Sequence, residues 1–258
     1  MELMCQHLAK VFPSSQGDVS VLKDVDFAVA PREFVSIVGP SGCGKTTLLK
    51  LIAGLVQPTS GRITFGAANN HGRPQQAMVF QEHGLLPWMT ILDNVALGLE
   101  RHRMTRTERR EPASRFLAQV GLSQFANHYP SQLSVGMRQR AAISRAFIAE
   151  PHILLMDEPF SALDAQTRLI MQEELLRIWQ MHHQTIVYVT HDIEEAILLS
   201  DRVLVMSGRP ATIIEEIPVF LERPRRFFDQ EYPVVKELTR HIWHLLETDA
   251  RQYLLRGT

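Results

Sequence analysis

One octapeptide constrains this chain more than anything else in it. Gly39-Pro40-Ser41-Gly42-Cys43-Gly44-Lys45-Thr46 fits in full the spacing of two glycines four residues apart followed by lysine and a hydroxyl residue. A short apolar run, Phe34 to Val38, leads into it. A helical pattern starting near Lys45, with Leu48, Leu49, Ile52 and Leu55 on one face, leads out. In a strand–loop–helix setting the glycines let the backbone turn tightly. Successive N–H groups then aim inward and, with the positive end of the helix, form a cradle for phosphate oxygens. The whole stretch from Gly39 to Thr47 is therefore the candidate ATP-binding loop. Within it Lys45 neutralises charge on the β- and γ-phosphates, and the Thr46 hydroxyl is a Mg²⁺ ligand. Cys43 lies among these N–H groups beside Lys45, which predicts a thiol of lowered pKa that a maleimide would modify with loss of nucleotide binding.

A second element complements the loop. Ile153-Leu-Leu-Met-Asp157-Glu158 reads as a buried strand whose end delivers two carboxylates. Asp157 is placed to reach Mg²⁺, directly or through water, and Glu158 to accept a proton from an attacking water. Together the two elements establish a P-loop nucleotidase but leave its kind open, because small-molecule kinases and motor ATPases share them.

The rest of the chain narrows the architecture. Its 258 residues suit one large domain or one domain with a helical insertion. Strand patterns at Val21 to Ala30, Arg62 to Phe65 and Gln76 to Gln81 precede a helical block from about residue 91 to 150, in which Pro112 is placed as a first helical residue. Strands at His152 to Met156, Thr185 to Val189 and Arg202 to Met206 alternate with helices at Asp164 to His182 and Asp192 to Leu199, which predicts a mostly parallel sheet. Val235, Leu238, Ile242 and Leu245 mark a closing helix within a tail of residues 209–258. The fold expected is an α/β core over residues 1–258 with an N-terminal antiparallel β portion and an inserted helical subdomain.

A net charge of −1 gives no general field for nucleic acid or an anionic membrane. The basic run Arg101, Arg103, Arg106, Arg109 and Arg110 is interrupted by Glu100, Glu108 and Glu111 and has no interleaved aromatics, so it reads as a solvated helical face. His241 and His244 have no adjacent third ligand that would make them a metal pair. The longest apolar runs fall far short of a membrane span of about 20 residues, the first ten residues lack the order of a signal peptide, and two cysteines make no disulfide framework. A soluble, cytosolic chain is expected.

Further motifs supply a family resemblance. Gln81 in Val79-Phe80-Gln81, the run Leu133-Ser134-Val135-Gly136-Met137-Arg138-Gln139-Arg140, the tetrapeptide Ser161-Ala162-Leu163-Asp164 and His191 after an apolar strand resemble, in order, the Q-loop, signature, D-loop and switch histidine of ATP-binding cassette (ABC) ATPases. The likeness runs from about Leu8 to Gly208. It implies a two-chain mechanism in which each cassette binds ATP on its own loop and the partner's signature loop closes on the γ-phosphate. On that scheme Ser134 and the Gly136 N–H serve the partner's nucleotide, and Asp164 couples the two sites. Gln81 touches Mg²⁺ or the lytic water, His191 contacts the γ-phosphate, and Phe12 stacks on adenine, the alternative being a core aromatic. Val135 departs from the family, which has glycine there. With Ser134 as helix N-cap, Val135 becomes the first helical residue and needs only an ordinary negative φ.

Gly84-Leu85-Leu86-Pro87-Trp88-Met89-Thr90, followed by Leu92-Asp93-Asn94-Val95, is similar to cassettes of the nitrate, sulfonate and taurine importer group. The resemblance implies membrane-spanning permease subunits as partners, a second cassette as dimer mate, indirectly a solute-binding protein, and a peripheral place on the cytoplasmic face of the membrane. An exposed Leu-Leu-Pro-Trp loop would offer a docking surface to a short permease helix, the alternative being core packing. A soluble ABC-type ATPase of iron–sulfur assembly or nucleic-acid work is the competing reading.

Overall fold

Two kinds of sequence pattern build the strands. Those at the N-terminus alternate, burying Leu3, Cys5 and Leu8 on one strand and Val25, Phe27 and Val29 on the next, with more exposed residues between. The central ones, such as Phe34–Val38 and Ile153–Asp157, are buried at every position, as strands covered on both faces are. The computed structural model describes residues 2–15, 17–66, 74–80, 84–102, 104–225, 227 and 232–256, so Gln81 and Arg103 lie outside the described residues.

In chain order the elements are β1 (Leu3–Phe12), β2 (Val19–Val29), β3 (Phe34–Val38), α1 (Lys45–Ile52), β4 (Ser60–Phe65), β5 (Gln76–Val79), α2 (Ile91–Ala96), α3 (Arg106–Gln119), α4 (Val135–Ile148), β6 (Ile153–Asp157), α5 (Ala165–His182), β7 (Thr185–Val189), α6 (Ile193–Leu199), β8 (Arg202–Met206), β9 (Ile213–Pro218) and α7 (Pro233–Arg256). They fall into two compact units. One comprises Met1–Ala68 with Thr185–Thr258, and the other Asn69–Gln184.

The first unit holds an antiparallel sheet of order β2-β1-β4 and the strand order β7-β3-β8-β9. In the latter, β3 is parallel to both neighbours, with Ile37 opposite Val189 and Val38 opposite Val205, while β9 returns antiparallel to β8. Ile193, Ile197, Val203, Val205, Val235 and Ile242 pack α6 and α7 against this sheet. In the second unit β5 and β6 run parallel, and α2 to α4 form the helical block. The α/β architecture with a mostly parallel sheet and an antiparallel N-terminal portion is as the sequence predicts.

Four local expectations are corrected. Helix α1 stops at Ile52 because Gly54 turns the chain at φ 69°, so Leu55 is exposed instead of continuing the apolar face. Pro112 lies inside α3. The helix begins at Arg106, where Thr105 and Glu108 form a capping box more than a turn earlier. The strand expected to reach Gln81 ends at Val79 among the described residues. Strand β9 carries the uneven run Ile-Ile-Glu-Glu-Ile-Pro and is not foreseen from periodicity.

Candidate nucleotide site

In the first unit β3 runs straight into the glycine loop, and two glycines there have no room for a side chain. A Cβ on Gly39 would lie 2.8 Å from the Met206 carbonyl oxygen; one on Gly44, at φ +130°, would lie 2.8 Å from Val21 Cγ1. The loop is thus pressed between β8 and β2. Lys45 is only 5% exposed, and its Nζ donates to the carbonyls of Gly39 at 2.8 Å and Pro40 at 3.1 Å. That uses two of three ammonium donors, and among the described residues Lys45 has no carboxylate partner. A buried cation so placed is poised for an anion. The arrangement fits a phosphate chain.

The expectation for Cys43 is overturned. Its side chain is 2% exposed, and burial pushes the thiol pKa above its ordinary 9.0, outweighing the opposing pull of Lys45 and Arg209. The neighbouring cations that would activate an exposed thiol do not compensate for the lost hydration of a thiolate.

His191 follows β7 beside the strand that feeds the loop, with the Thr190 N–H donating to the Ile37 carbonyl at 3.2 Å. Both of its chain neighbours are anchored. The Thr190 hydroxyl bonds the buried Glu195 carboxylate and accepts from the Asp192 N–H at 3.0 Å. Asp192 caps α6 by accepting from the Glu195 N–H at 3.1 Å. In the sequence the only sign of this clamp is the capping-box spacing of Asp192-x-x-Glu195. Phe12 ends β1 at 37% exposure with Lys10 Nζ 4.7 Å from its ring centre, a surface aromatic and not a core one.

The second unit gathers the remaining residues. Asp157 is the buried last residue of β6, and Glu158 turns out of the strand at φ 44°. Its carbonyl accepts from the Ser161 N–H at 3.2 Å and hydroxyl at 3.0 Å. A non-glycine residue in the left-handed region costs about 1 kcal/mol or more, a strain found where a side chain must be aimed. Asp164 caps α5 by accepting from the Thr167 N–H at 3.0 Å and from the Thr167 hydroxyl, and these bonds hold its carboxyl below the usual range. Ser134 caps α4 in the same way through Met137, which makes Val135 the first helical residue, 38% exposed, as the sequence predicts. Gly136 faces α5: a Cβ there would sit 3.0 Å from Thr167 Cγ2. The signature and D-loop helices therefore begin side by side.

Taken one by one, the candidate metal ligands have the right chemistry. The hydroxyl of Thr46 and the carboxylate of Asp157 are the hard oxygen donors that Mg²⁺ takes. Gln81 falls outside the described residues.

The helical block presents one further feature. Trp88 is 70% exposed in the loop after Gly84. Asn94, fully buried, locks that loop by accepting from the Leu86 N–H at 2.7 Å and donating to the carbonyls of Leu86 and Met89, both at 3.1 Å, and of Thr90 at 3.0 Å. Of the basic run, Arg106 and Arg110 pair with Asp93 at 3.4 and 3.3 Å, and Arg109 donates to the Met104 carbonyl.

Comparison with known proteins agrees with this geometry. Residues 22–161 match the family model described as ABC transporter. The chain is 47% identical to an uncharacterised ABC transporter ATP-binding protein of Methanocaldococcus jannaschii, covering 87% of this chain and 85% of that one. It is 46% identical to a nitrate import ATP-binding protein of Synechocystis, covering 100% and 96%, and 41% identical to a bicarbonate transport ATP-binding protein of Synechocystis, covering 86% and 80%. Among solved structures, a dimeric ATP-binding cassette in a post-hydrolysis state with ADP and Pi superposes with a TM-score of 0.73 at 32% identity, covering 85% of this chain and all of that one. The phosphate loop, the carboxylate-bearing strand end and these likenesses converge: the chain belongs to the ABC transporter family and is an ATPase.

Proposed function

We propose that this chain is the ATP-hydrolysing subunit of an importer for small solutes of the nitrate, sulfonate or taurine kind. It works as one half of a nucleotide sandwich on the cytoplasmic face of the membrane and drives membrane-spanning subunits that receive solute from a binding protein. The observation that carries the reading is the Leu85–Trp88 loop, whose apolar tip is held out in solvent by a buried asparagine. A rigid exposed tryptophan is the kind of anchor that a short permease helix would cover. Relatives named for nitrate import and for bicarbonate transport support a small-solute cargo. Among the described residues no helix is long and apolar enough to cross a membrane, so the spanning parts are assigned to other subunits.

In this reading the N–H groups from Gly39 to Thr47 and the Lys45 ammonium hold the phosphates, while Phe12 stacks on adenine. Thr46, Asp157 and Gln81 hold Mg²⁺, which when bound offsets phosphate charge. Glu158, at the positive-φ turn that follows β6, takes the proton of the attacking water. His191, clamped at both flanks, contacts the γ-phosphate. Ser134 and the Gly136 N–H at the head of α4 serve the nucleotide of the second cassette, and Asp164 couples the two sites.

Trp88→Glu tests the docking surface. It should leave the isolated chain's ATPase within about twofold, since exposed substitutions rarely perturb stability by more than about 0.5 kcal/mol. It should also abolish co-purification with the permease and uptake of labelled nitrate or taurine. Unchanged uptake would contradict the reading.

A further inference from the structure

The tail from Arg209 onward has no part in the site described so far, yet it returns to the phosphate loop. Strand β8 lies beside β3, and its end is so close to the loop that the Met206 carbonyl limits Gly39. Beyond it the chain makes a tight hairpin: the Ser207 N–H donates to the Thr212 carbonyl at 3.0 Å, and the Thr212 N–H to the Ser207 hydroxyl at 3.0 Å. Two anchors fix this hairpin, one to each of two neighbouring elements. On one, the Ala211 N–H donates to the Val21 carbonyl and the Ala211 carbonyl accepts from the Lys23 N–H, both at 2.9 Å, which ties it to the β2 segment that packs on Gly44. On the other, Asp249 near the end of α7 accepts from the Gly208 N–H at 2.6 Å.

The residue displayed between these anchors is Arg209. Its side chain is exposed, and its Nη2 lies 3.9 Å from where a Cβ on Gly42 would be. Among the described residues it makes no ion pair. A guanidinium held beside a phosphate cradle with no carboxylate of its own adds positive potential where the nucleotide is most negative. Its influence is already felt within the loop, where it opposes the rise of the Cys43 pKa.

We propose that Arg209 is a further nucleotide-binding residue, acting on the phosphates alongside Lys45, and that Asp249 of the C-terminal helix is its positioning residue. The inference rests on the phosphate-loop reading. It gives the tail a role: α7 braces the hairpin that carries a second cation to the nucleotide.

The test is equilibrium binding of Mg-ATP to the purified full-length chain at low and high salt. Arg209→Ala should weaken binding roughly tenfold at low salt, the size of a partly screened charge pair several ångströms apart, with the loss shrinking as salt rises. Arg209→Lys should recover most of it. Asp249→Ala should give a smaller loss, and combining it with Arg209→Ala should add nothing, because both act through one guanidinium. Binding within twofold of the parent in Arg209→Ala, or a loss indifferent to salt, would overturn the assignment; additive losses would overturn the brace. Lys45→Ala, measured in parallel, separates the failures. If it abolishes binding while Arg209→Ala does not, only the arginine's role falls. If it too binds normally, the phosphate-loop reading falls.

Discussion

Gly136 heads the signature helix, and the structure gives its missing side chain a reason within the chain itself. A methyl group there would sit 3.0 Å from Thr167 Cγ2, well inside the ordinary carbon–carbon separation of about 3.5–4.0 Å. Overpacking of this kind costs about 1–3 kcal/mol, against a helix-propensity gain of at most about 1 kcal/mol for replacing glycine by alanine. Gly136→Ala should therefore destabilise the protein by about 1 kcal/mol and, by prising apart the starts of α4 and α5, reduce ATPase activity. Thr167→Ser removes the obstructing methyl but keeps the hydroxyl and the N–H that meet Asp164. On its own it should cost about 0.5 kcal/mol; combined with Gly136→Ala it should restore stability to within about 0.5 kcal/mol of the parent, a coupling near 1 kcal/mol. Urea denaturation of the four proteins measures the coupling, and steady-state ATPase follows its consequence. Additive stabilities would refute the packing argument. Recovery of stability with no recovery of ATPase would place the need for glycine on the nucleotide side instead.

Other outcomes follow from the same geometry. Val135→Gly should change ATPase activity only a few-fold and cost less than about 1 kcal/mol, because the position is half-exposed, helical and preceded by an intact cap; a large gain in activity would mean the natural valine impairs the site. At neutral pH neither cysteine of the folded protein should be modified readily by a maleimide. Burial pushes the Cys43 thiol up and the Cys5 thiol up to about 12, so mass spectrometry should find two adducts only after denaturation. Glu195→Gln should lower kcat with little effect on KM, because it loosens the clamp on His191 without touching the phosphate loop; an unchanged kcat would show that the clamp does not position the histidine.

What was legible in the sequence was whatever local rules determine. The octapeptide specifies a loop because its glycines leave few alternatives, and Ser134 announces the start of α4 because a cap needs only its own three following residues. Asp164 and Asp192 announce α5 and α6 for the same reason. Cys43 is not legible in this way, because its protonation depends on burial, which its neighbours in sequence do not reveal. Pro112 reads as a helix start because it lacks an N–H, but a capping box that opens nearly two turns earlier sets the start instead. Asn94 looks like an ordinary polar residue until its carboxamide is found bridging four backbone groups of the Trp88 loop. Arg209 and Asp249 are 40 residues apart, and only the hairpin that joins them makes either one notable.

On the proposed mechanism Glu158 supplies the base for ATP hydrolysis in a closed pair of cassettes, and Glu158→Gln separates that step from nucleotide binding. Glutamine keeps the shape and the φ 44° turn equally well, and leaves Lys45 and the loop N–H groups untouched. The substituted protein should bind Mg-ATP, hydrolyse it about 10²–10⁴ times more slowly, and elute from gel filtration in Mg-ATP as a dimer. A monomer that turns over ATP at the parental rate would rule out Glu158 as the base.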